Sequence, residues 1–473
     1  MDWDTPLLLY LGQMVLWGKV PYVEIFDVNL PLTYWLNMAV LKVFGASDLV
    51  VRLADLACLT LICALTWGCL RQLGRRLAGV AAVSFVLLVF SFGNLLALQR
   101  DLLLIVPLAG ACCVFLKSES PSRRTWILIG FCFGCVVLIK PQAMLGWLAF
   151  LFAAALEDAA PMNLGAAFRR SGWSALGLGL PVCLAAIWLV SLGAQGALLD
   201  LIRGYWPLFS ELSGDQTVLA GFESKMAYRS QQLAQGLAGS VLLIPLAIGW
   251  WSGLESGRED ARIRRATWLF VGLVVTQLLS VVTVGRFWPY HWLPCWWAML
   301  CLASLALVDI RTRPLGVLTV SLMLLQLTLP NLSRFYQDLR FGHPQEAQGG
   351  LVREVTEFLD ANLQPGDTVQ PLDWTGGMIH AMLKAEARPA TSFAYTYQFY
   401  HHVDEPYIQD LRHRFLFELE GASPRFILES HASRWVLRGP HTSRRFDDLE
   451  LWIASRYKPA VREKGFTIYE RVE

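Results

Sequence analysis

The chain has 473 residues, of which 55% are apolar and only 16% are charged, and its mean hydropathy is +0.43. Soluble globular domains typically contain about 25% charged residues, so this composition excludes an ordinary soluble protein and indicates a membrane protein. The formal net charge of +2 offers no general attraction for nucleic acid, and we expect no nucleic-acid partner. All 10 cysteines fall in apolar segments without metal-ligand spacing, so we predict neither disulfides nor a zinc site.

Residues 1–49 form a segment of their own. An apolar stretch follows Asp4 and stops at Gly18, and a second stretch begins at Pro31. The glycine and the proline mark helix boundaries, and they predict two amphipathic helices that lie along the membrane surface. Asp4 stands at the start of the first helix. It could act only as a helix cap, which is a common role for Asp, or it could supply a carboxylate for chemistry at the surface.

The middle of the chain, residues 50–335, is predicted to be a transmembrane helical domain. A spanning helix needs about 20 mainly apolar residues, and the sequence contains about ten such candidates. Their approximate limits are 50–70, 77–92, 101–117, 125–140, 142–156, 173–195, 237–253, 267–284, 291–308 and 314–330.

Basic residues occur in every second loop between these spans. They cluster at Arg71–Arg76, Lys117–Arg124, Arg169–Arg170, Arg258–Arg265 and Arg311–Arg313. Because basic loops stay on the cytoplasmic side, the sequence predicts a multi-pass protein of the cytoplasmic (inner) membrane. Both residues 1–49 and the C-terminal domain are then extracytoplasmic. The outer stretch 196–236 could bind an acceptor or form a lid, but we expect most of it to be hydrated loop.

Residues 345–473 have the composition of a small soluble domain. A helical pattern begins at Val352, a turn at Pro365-Gly366-Asp367 leads into an apolar run, and later strand-like runs occur at 425–428 and 466–469. Helices that alternate with short strands predict an α/β domain. Within it, the aromatic run 395–402 could line a glycan-binding surface, but we favour a role in packing this domain onto the membrane domain.

Charged residues also stand at the predicted outer ends of the spans. They are Arg100, Asp101, Lys140, Arg286 and His291. Ionisable residues at membrane depth are costly and usually functional, although Lys and Arg beside aromatic residues also serve as membrane anchors. Asp101 could simply cap the helix that follows it. All five are predicted to lie on the same face of the membrane as Asp4.

The N-terminal segment resembles the first outer loop of the GT-C superfamily, which comprises membrane glycosyltransferases that use a polyprenyl-phosphate sugar. Protein O-mannosyltransferases and the aminoarabinose transferase of lipid A are members. The residues that carry the resemblance are Asp4, Gly18, Pro21-Tyr22, Phe26-Asp27, Pro31-Leu32, Phe44-Gly45, Val51-Arg52-Leu53 and Gly74-Arg75-Arg76. The resemblance implies a polytopic α-helical membrane protein of GT-C type, with outer-face amphipathic helices and a small C-terminal extracytoplasmic α/β domain.

The resemblance also implies roles for individual residues. Asp4 falls on the position of the catalytic base, and Asp101 is a candidate second acidic residue. Arg100, Lys140, Arg286 and His291 are candidates for binding the donor phosphate. Tyr22, Glu24, Asn29 and Tyr290 are candidates for binding the acceptor or the sugar.

Two further points concern the phosphate and metals. Many members carry Lys before the Pro-Pro of the second helix, where this chain has Asn29-Leu30-Pro31, so Lys140 or Arg286 would have to substitute for that cation. No cofactor is required by the sequence. Asp4, Asp101 and Glu24 could nevertheless converge on a divalent cation, Mg or Mn, although their spacing does not demand it.

These observations predict an inverting glycosyltransferase. Its donor would be a sugar linked to polyprenyl phosphate, and its acceptor a glycan, lipid or protein of the cell envelope. A sugar on phosphate already carries a leaving group, so the enzyme must activate the acceptor with a base and stabilise the departing phosphate. A transporter or flippase for a lipid-linked glycan is an alternative, as is a non-catalytic scaffold of a polysaccharide assembly complex. Midplane charges and broken helices would favour transport, whereas here the charges gather at one face.

Overall fold

The computed structural model describes residues 4–156, 164–219, 225–238, 243–308, 313–341, 350–431, 442–443 and 445–472. These residues form a mainly helical bundle to which an α/β domain is attached. The predicted fold class is supported in its helical character and its C-terminal α/β domain.

The two predicted N-terminal helices are present. Helix α1 spans Thr5–Leu16 and α2 spans Pro31–Phe44, and each has a proline in its first turn, where the missing N–H costs nothing. The chain leaves α1 through Gly18, whose φ of +92° is readily adopted by glycine alone. The two helices pack closely, because a Cβ on Gly12 would lie 3.0 Å from the side chain of Asn37.

A helix coincides with each of the predicted spans. The bundle contains α3 (Asp48–Leu70), α4 (Arg75–Ser91), α5 (Arg100–Lys117), α6 (Arg123–Ile139), α7 (Gly146–Ala155), α8 (Leu164–Ser191), α9 (Gln195–Leu219), α10 (Lys225–Ala238), α11 (Leu243–Ser256), α12 (Ala261–Val284), α13 (Leu293–Ser304) and α14 (Arg313–Phe341). Helix α13 is buried along its whole length and forms the centre of the bundle, packed against α4, α5, α11 and α12.

Among the described residues, 5 helices are long and apolar enough to cross a membrane. They are Asp48–Leu70, Gly165–Ser191, Ala261–Val284, Pro289–Leu307 and Pro314–Arg340. The remaining apolar helices are shorter or carry more charge at their ends. The predicted count of about ten spans therefore stays a prediction, as does the side of the membrane on which each end lies.

The expectation of a hydrated loop over 196–236 is wrong for the described part of that stretch. Helices α9 and α10 occupy 195–219 and 225–238. One face of α9 is buried, because Tyr205 packs edge-on against Phe26 at 5.2 Å between ring centroids. The sequence of α9 contains Pro207 and charged residues of both signs. Because these features are typical of a loop, the sequence did not predict this helix.

The C-terminal domain contains, in chain order, α15 (Leu351–Asn362), β1 (Thr368–Leu372), α16 (Met378–Lys384), β2 (Arg388–Pro389), α17 (Pro406–Ala422), β3 (Phe426–Ser430), α18 (Asp447–Arg456), β4 (Tyr457–Arg462) and β5 (Phe466–Arg471). The strands form a 5-stranded sheet in the order β2-β1-β3-β5-β4. Strand β1 is parallel to β2 and β3, whereas β5 is antiparallel to β3 and β4.

This domain packs onto the N-terminal segment. The Tyr10 hydroxyl donates to the carbonyl oxygen of Ala387 at 2.8 Å, and the Phe26 N–H donates to the carbonyl oxygen of Ser392 at 2.8 Å. Phe26 also packs against Phe393 at 5.3 Å between ring centroids. The C-terminal domain therefore contacts the loop that connects α1 to α2 and holds it in place.

Candidate active site

A cavity of about 450 Å³ lies where the N-terminal segment, one end of the helical bundle and the C-terminal domain meet. Four helix ends converge there, because α5 begins at Arg100, α6 ends before Lys140, α12 ends before Arg286 and α13 follows the turn that carries His291. The sequence predicted that these residues share one face. The structure brings together seven of the predicted residues as lining of this cavity: Asp4, Asn29, Arg100, Lys140, Arg286, Tyr290 and His291.

Asp4 directs a carboxylate into the cavity from the start of α1. Its side chain makes no capping hydrogen bond, so the simple role of a helix cap does not account for it. Oδ2 accepts a hydrogen bond from the Tyr290 hydroxyl at 3.1 Å, whereas the buried Oδ1 has no partner among the described residues. Burial raises the pKa of this carboxyl, and Arg100, the Tyr290 hydrogen bond and Arg286 oppose that rise. A carboxyl with a raised pKa is better matched to general-base work near neutral pH.

Arg100 is positioned by a short polar chain from the α1–α2 loop. Its Nη1 donates to Asn29 Oδ1. Asn29 in turn donates through Nδ2 to Asp27 Oδ1 at 2.8 Å and through its backbone N–H to Asp27 Oδ2 at 3.1 Å. The Tyr34 hydroxyl donates to Asp27 Oδ2 at 2.9 Å. Arg100 thus bonds to a neutral amide, which leaves its positive charge available to an anion in the cavity.

The turn before Arg100 is held in a strained conformation. Leu98 has a φ of +50°, which non-glycine residues adopt at a cost. Its N–H donates to Asp55 Oδ1 on α3 at 2.9 Å. On the other side of the turn, Gln99 donates to the Thr5 hydroxyl at 3.2 Å, and that hydroxyl donates to the carbonyl oxygen of Ala97 at 2.8 Å. The beginning of α5 and the residue after Asp4 are therefore locked together.

Lys140 and Asp101 form a buried ion pair beside the cavity. Lys140 Nζ lies 2.5 Å from Asp101 Oδ1, and the side chains are only 9% and 2% exposed. Lys140 lines the cavity and Asp101 lies behind it. A buried ammonium is costly unless it is paired, and Asp101 opposes the loss of charge that burial favours at Lys140. Asp101 is therefore placed to support a cation rather than to touch a substrate directly.

Arg286 and His291 complete the charged wall. The Arg286 guanidinium lies 3.9 Å from the Phe209 ring centroid and 5.7 Å from that of Trp288, and it donates to the carbonyl oxygen of Phe209 at 3.2 Å. Phe287, the next residue, has a φ of +51°. The ring of His291 stacks on Trp288 at 5.8 Å between centroids, and its buried Nδ1 has no partner among the described residues.

Two other predicted residues lie outside the cavity. The Tyr22 hydroxyl donates to the carbonyl oxygen of Asn29 at 2.6 Å, so it shapes the loop that carries Asn29. Glu24 is turned outward, where it pairs with Lys19 at 3.1 Å and accepts from the Val20 N–H at 2.9 Å. Glu24 therefore does not converge with Asp4 and Asp101, an arrangement that the sequence allowed but did not demand.

Several lining residues are not among the site residues predicted from the sequence, although some lie in the stretch 196–236 and the run 395–402, for which acceptor or glycan binding was one alternative. They are Asp27, Gln142, Trp206, Phe209, Ser210, Trp288, Trp374, Tyr395 and Tyr397. Asp27 belongs to the motif that carries the family resemblance, which could have pointed to it. Tyr395 and Tyr397 lie in the aromatic run that we expected to pack onto the membrane domain. These tyrosines lie in the apolar cluster shared with α1 and also line the cavity, and a glycan-binding role for the run stays a prediction.

No three residues among His, Cys, Asp and Glu come together as a metal-binding group in the described parts of the chain. Asp4 and Asp27 both line the cavity; both oxygens of Asp27 accept hydrogen bonds, from Asn29 and Tyr34, so the Oδ1 of Asp4 is the one oxygen of this pair without a partner among the described residues. A role for Mg or Mn draws no support from this donor set.

Residues 28–188 match the family model described as dolichyl-phosphate-mannose-protein mannosyltransferase. No curated protein sequence matches the chain.

Two solved structures share the fold over nearly the whole chain. One is the crystal structure of ArnT from Cupriavidus metallidurans bound to undecaprenyl phosphate, with a TM-score of 0.59 and 13% identity over 98% of this chain and 93% of that chain. The other is the oligosaccharyltransferase AglB from Archaeoglobus fulgidus in complex with an inhibitory peptide and a dolichol-phosphate, with a TM-score of 0.50 and 11% identity over 100% of this chain and 70% of that chain. The predicted resemblance is thereby confirmed as a sequence match over residues 28–188 and as a shared fold over nearly the whole chain.

Proposed function

We propose that this chain, which has the GT-C fold, is an inverting glycosyltransferase. It moves a sugar from a polyprenyl-phosphate donor to an envelope acceptor, which is a glycan, a lipid or a protein, on the outer side of the cytoplasmic membrane. One observation carries the proposal. Asp4, whose Oδ1 has no partner among the described residues, lines the same cavity of about 450 Å³ as Arg100, Lys140 and Arg286, so a base and a group of cations border one space.

Asp4 acts as the base. Its carboxylate removes the proton from the acceptor hydroxyl or amine while that group attacks the anomeric carbon of the donor sugar. The bond from the anomeric carbon to the phosphate oxygen breaks as the new glycosidic bond forms, and the polyprenyl phosphate leaves with the electron pair. A single displacement of this kind inverts the configuration at the anomeric carbon. Tyr290 holds the carboxylate in place through its hydrogen bond to Oδ2.

The cations stabilise the phosphate that departs. Negative charge increases on the leaving oxygen as its bond to the sugar breaks, and preorganised cations in a largely buried site stabilise that change strongly. Each cation is held by a hydrogen bond. The Arg100 guanidinium donates to Asn29, the Lys140 ammonium donates to Asp101, and the Arg286 guanidinium donates to the Phe209 carbonyl oxygen. These anchors fix the direction of each cation before the substrate arrives, so little reorganisation is required during the reaction.

The position of the cavity suits a substrate with a lipid tail. It lies at the first residues of α5, just before α13 and at the last residues of α6 and α12. The long helices next to it carry exposed apolar side chains, including Val275 and Leu279 on α12. A polyprenyl chain can therefore stay in the bilayer while its phosphate enters the cavity. The acceptor approaches from the side covered by the C-terminal domain.

The test is sugar transfer by the purified full-length protein in liposomes, with synthetic polyprenyl-phosphate sugars as donors. We expect Asp4→Asn to lower the rate by at least about 100-fold, because the neutral amide cannot accept the proton. Asp360→Asn is the matched control, since this residue lies on the exposed face of α15, and it should retain the wild-type rate. Full activity of Asp4→Asn would remove Asp4 from the mechanism, and absence of transfer from every donor would refute the glycosyltransferase.

A further inference from the structure

The C-terminal domain contributes only aromatic side chains, namely Trp374, Tyr395 and Tyr397, to the described lining of the cavity. The rings of Trp374 and Tyr397 lie 4.3 Å apart between centroids. Trp374 also meets Trp288 of the membrane domain, with 5.8 Å between centroids and an interplanar angle of 41°. Trp288 and Trp374 are half-buried, whereas Tyr395 and Tyr397 are buried. The two indoles therefore keep part of their surface open in the cavity.

Trp374 is carried by a rigid turn. The buried Asp373 accepts hydrogen bonds from the backbone N–H groups of Trp374 and Gly376 at 2.7 Å each and of Met378 at 2.8 Å. A Cβ on Gly376 would lie 2.1 Å from Ser430 Oγ, so the turn sits directly on the end of β3. A preorganised aromatic side chain loses little conformational entropy when a ligand binds.

This aromatic wall adjoins the proposed base. Trp288 packs edge-on against Tyr290 at 5.6 Å between centroids, and Tyr290 donates to Asp4. A group that rests against Trp288 and Trp374 is therefore one residue away from the carboxylate. That is where the acceptor must lie, since its nucleophile gives its proton to Asp4.

We propose that Trp288 and Trp374, backed by Tyr397, form a binding subsite for a pyranose ring of the acceptor. This inference rests on the proposed glycosyltransferase function and names its acceptor class as a carbohydrate. The C–H faces of a pyranose pack well against flat aromatic surfaces, and its hydroxyls need hydrogen-bonding groups at the edges. The buried Nδ1 of His291 lies beside Trp288 without a partner among the described residues and can serve one hydroxyl. The Ser or Thr side chain that would supply the nucleophile of a peptide acceptor has no ring face to cover both indoles.

Binding can be tested without any transfer reaction. Methyl pyranosides of mannose, glucose and N-acetylglucosamine are added to the full-length protein in nanodiscs, and saturation transfer to their ring C–H protons is recorded by NMR. We expect saturation of at least one glycoside with the wild-type protein, a loss of at least about five-fold with Trp374→Ala, and retention with Trp374→Phe, which keeps an aromatic face. Phe417→Ala is the matched control, because Phe417 is an aromatic residue of the same domain that is 80% exposed.

Two additions separate the acceptor subsite from other sites. Saturation should persist when a polyprenyl-phosphate sugar occupies the protein, and it should persist in Asp4→Asn even though that variant is inactive. Displacement of the glycoside by the donor would show that the aromatic wall holds the donor sugar, and would overturn the proposal. So would unchanged saturation in Trp374→Ala, or saturation of a Ser/Thr peptide but of no glycoside. Failure of the glycosyltransferase function would appear separately, as the absence of sugar transfer from every donor.

Discussion

Tyr290 donates its hydroxyl hydrogen to Asp4 across 3.1 Å, although 286 positions separate the two residues in the chain. This bond ties the end of the bundle that carries Arg286 and His291 to the N-terminal segment that carries the proposed base. Both groups are buried, so water does not compete for the bond. It therefore determines where the free oxygen of the carboxylate points.

Replacing Tyr290 with Phe removes this bond and keeps the ring. Hydrogen bonds to charged groups contribute about 1.5–3 kcal/mol, so we expect kcat/KM for sugar transfer to fall by roughly 10- to 100-fold. The ring contacts with Trp288 and His291 remain, so the thermal midpoint should change little. A wild-type rate in Tyr290→Phe would show that the carboxylate is positioned without this hydroxyl.

The pH dependence of transfer follows from the same carboxyl. Burial raises the pKa of Asp4, and the active form is the deprotonated one, so activity should be lost as the pH falls through this raised pKa. The acid limb of the kcat/KM profile should thus lie above about 4, the value for an exposed Asp. The Tyr290 hydrogen bond lowers the pKa of Asp4, so Tyr290→Phe should move that limb to still higher pH. A limb at the same pH in both proteins would assign it to another group.

Much of this site could be predicted from the sequence, because its parts stand next to features that the sequence displays. Arg100, Lys140 and Arg286 were found because charges at the ends of apolar spans are conspicuous, and spans of alternating direction bring every second end together. Asp4 was found through the motif between Gly18 and Pro31. The roles of all these residues stay predictions.

The rest depends on how the C-terminal domain packs, which local patterns do not display. Trp374 reaches the cavity only because the sheet sits on the α1–α2 loop, and nothing near it in the sequence differs from an ordinary turn. Glu24, by contrast, was predicted as a site residue but does not reach the cavity. It lies within the motif, but a tight turn between Pro21 and Ile25 directs its side chain to the surface and to Lys19.

Asn29 should matter through Arg100. In Asn29→Ala, Arg100 loses its acceptor Oδ1 and becomes free to rotate, while its charge remains. We expect the KM for the polyprenyl-phosphate donor to rise by roughly ten-fold, less than in Arg100→Ala, which also loses the charge. The double variant should resemble Arg100→Ala alone, because both changes act through one guanidinium. If the increases in donor KM of the two single variants add in the double variant, Asn29 acts independently of Arg100.

Variants of the Lys140–Asp101 pair can distinguish an effect on protein stability from an effect on donor binding. Lys140→Met leaves the Asp101 carboxylate buried without a partner, and breaking such a pair typically costs about 3–5 kcal/mol. The double variant Asp101→Asn with Lys140→Met removes both charges, so its thermal midpoint should recover most of the loss. Its donor KM should nevertheless stay at least about ten-fold above that of the wild type, because one of the proposed phosphate ligands is missing. Recovery of both properties would restrict Lys140 to a structural role.

Arg414 connects the C-terminal domain to the loop that carries Asp27 and Asn29. Its Nη2 donates to the carbonyl oxygen of Val23 at 2.8 Å and to Ser392 Oγ at 2.9 Å, and its Nε donates to Glu418 at 2.7 Å. Arg414→Ala should lower the free energy of unfolding by about 1–3 kcal/mol and speed hydrogen exchange over residues 20–29, with a rise in donor KM because that loop positions Arg100. Arg353→Ala is the matched control, since its side chain is 64% exposed and lies 3.8 Å from Glu357, and it should change none of these. Equal exchange over residues 20–29 in both variants would mean that the loop keeps its shape without the C-terminal domain.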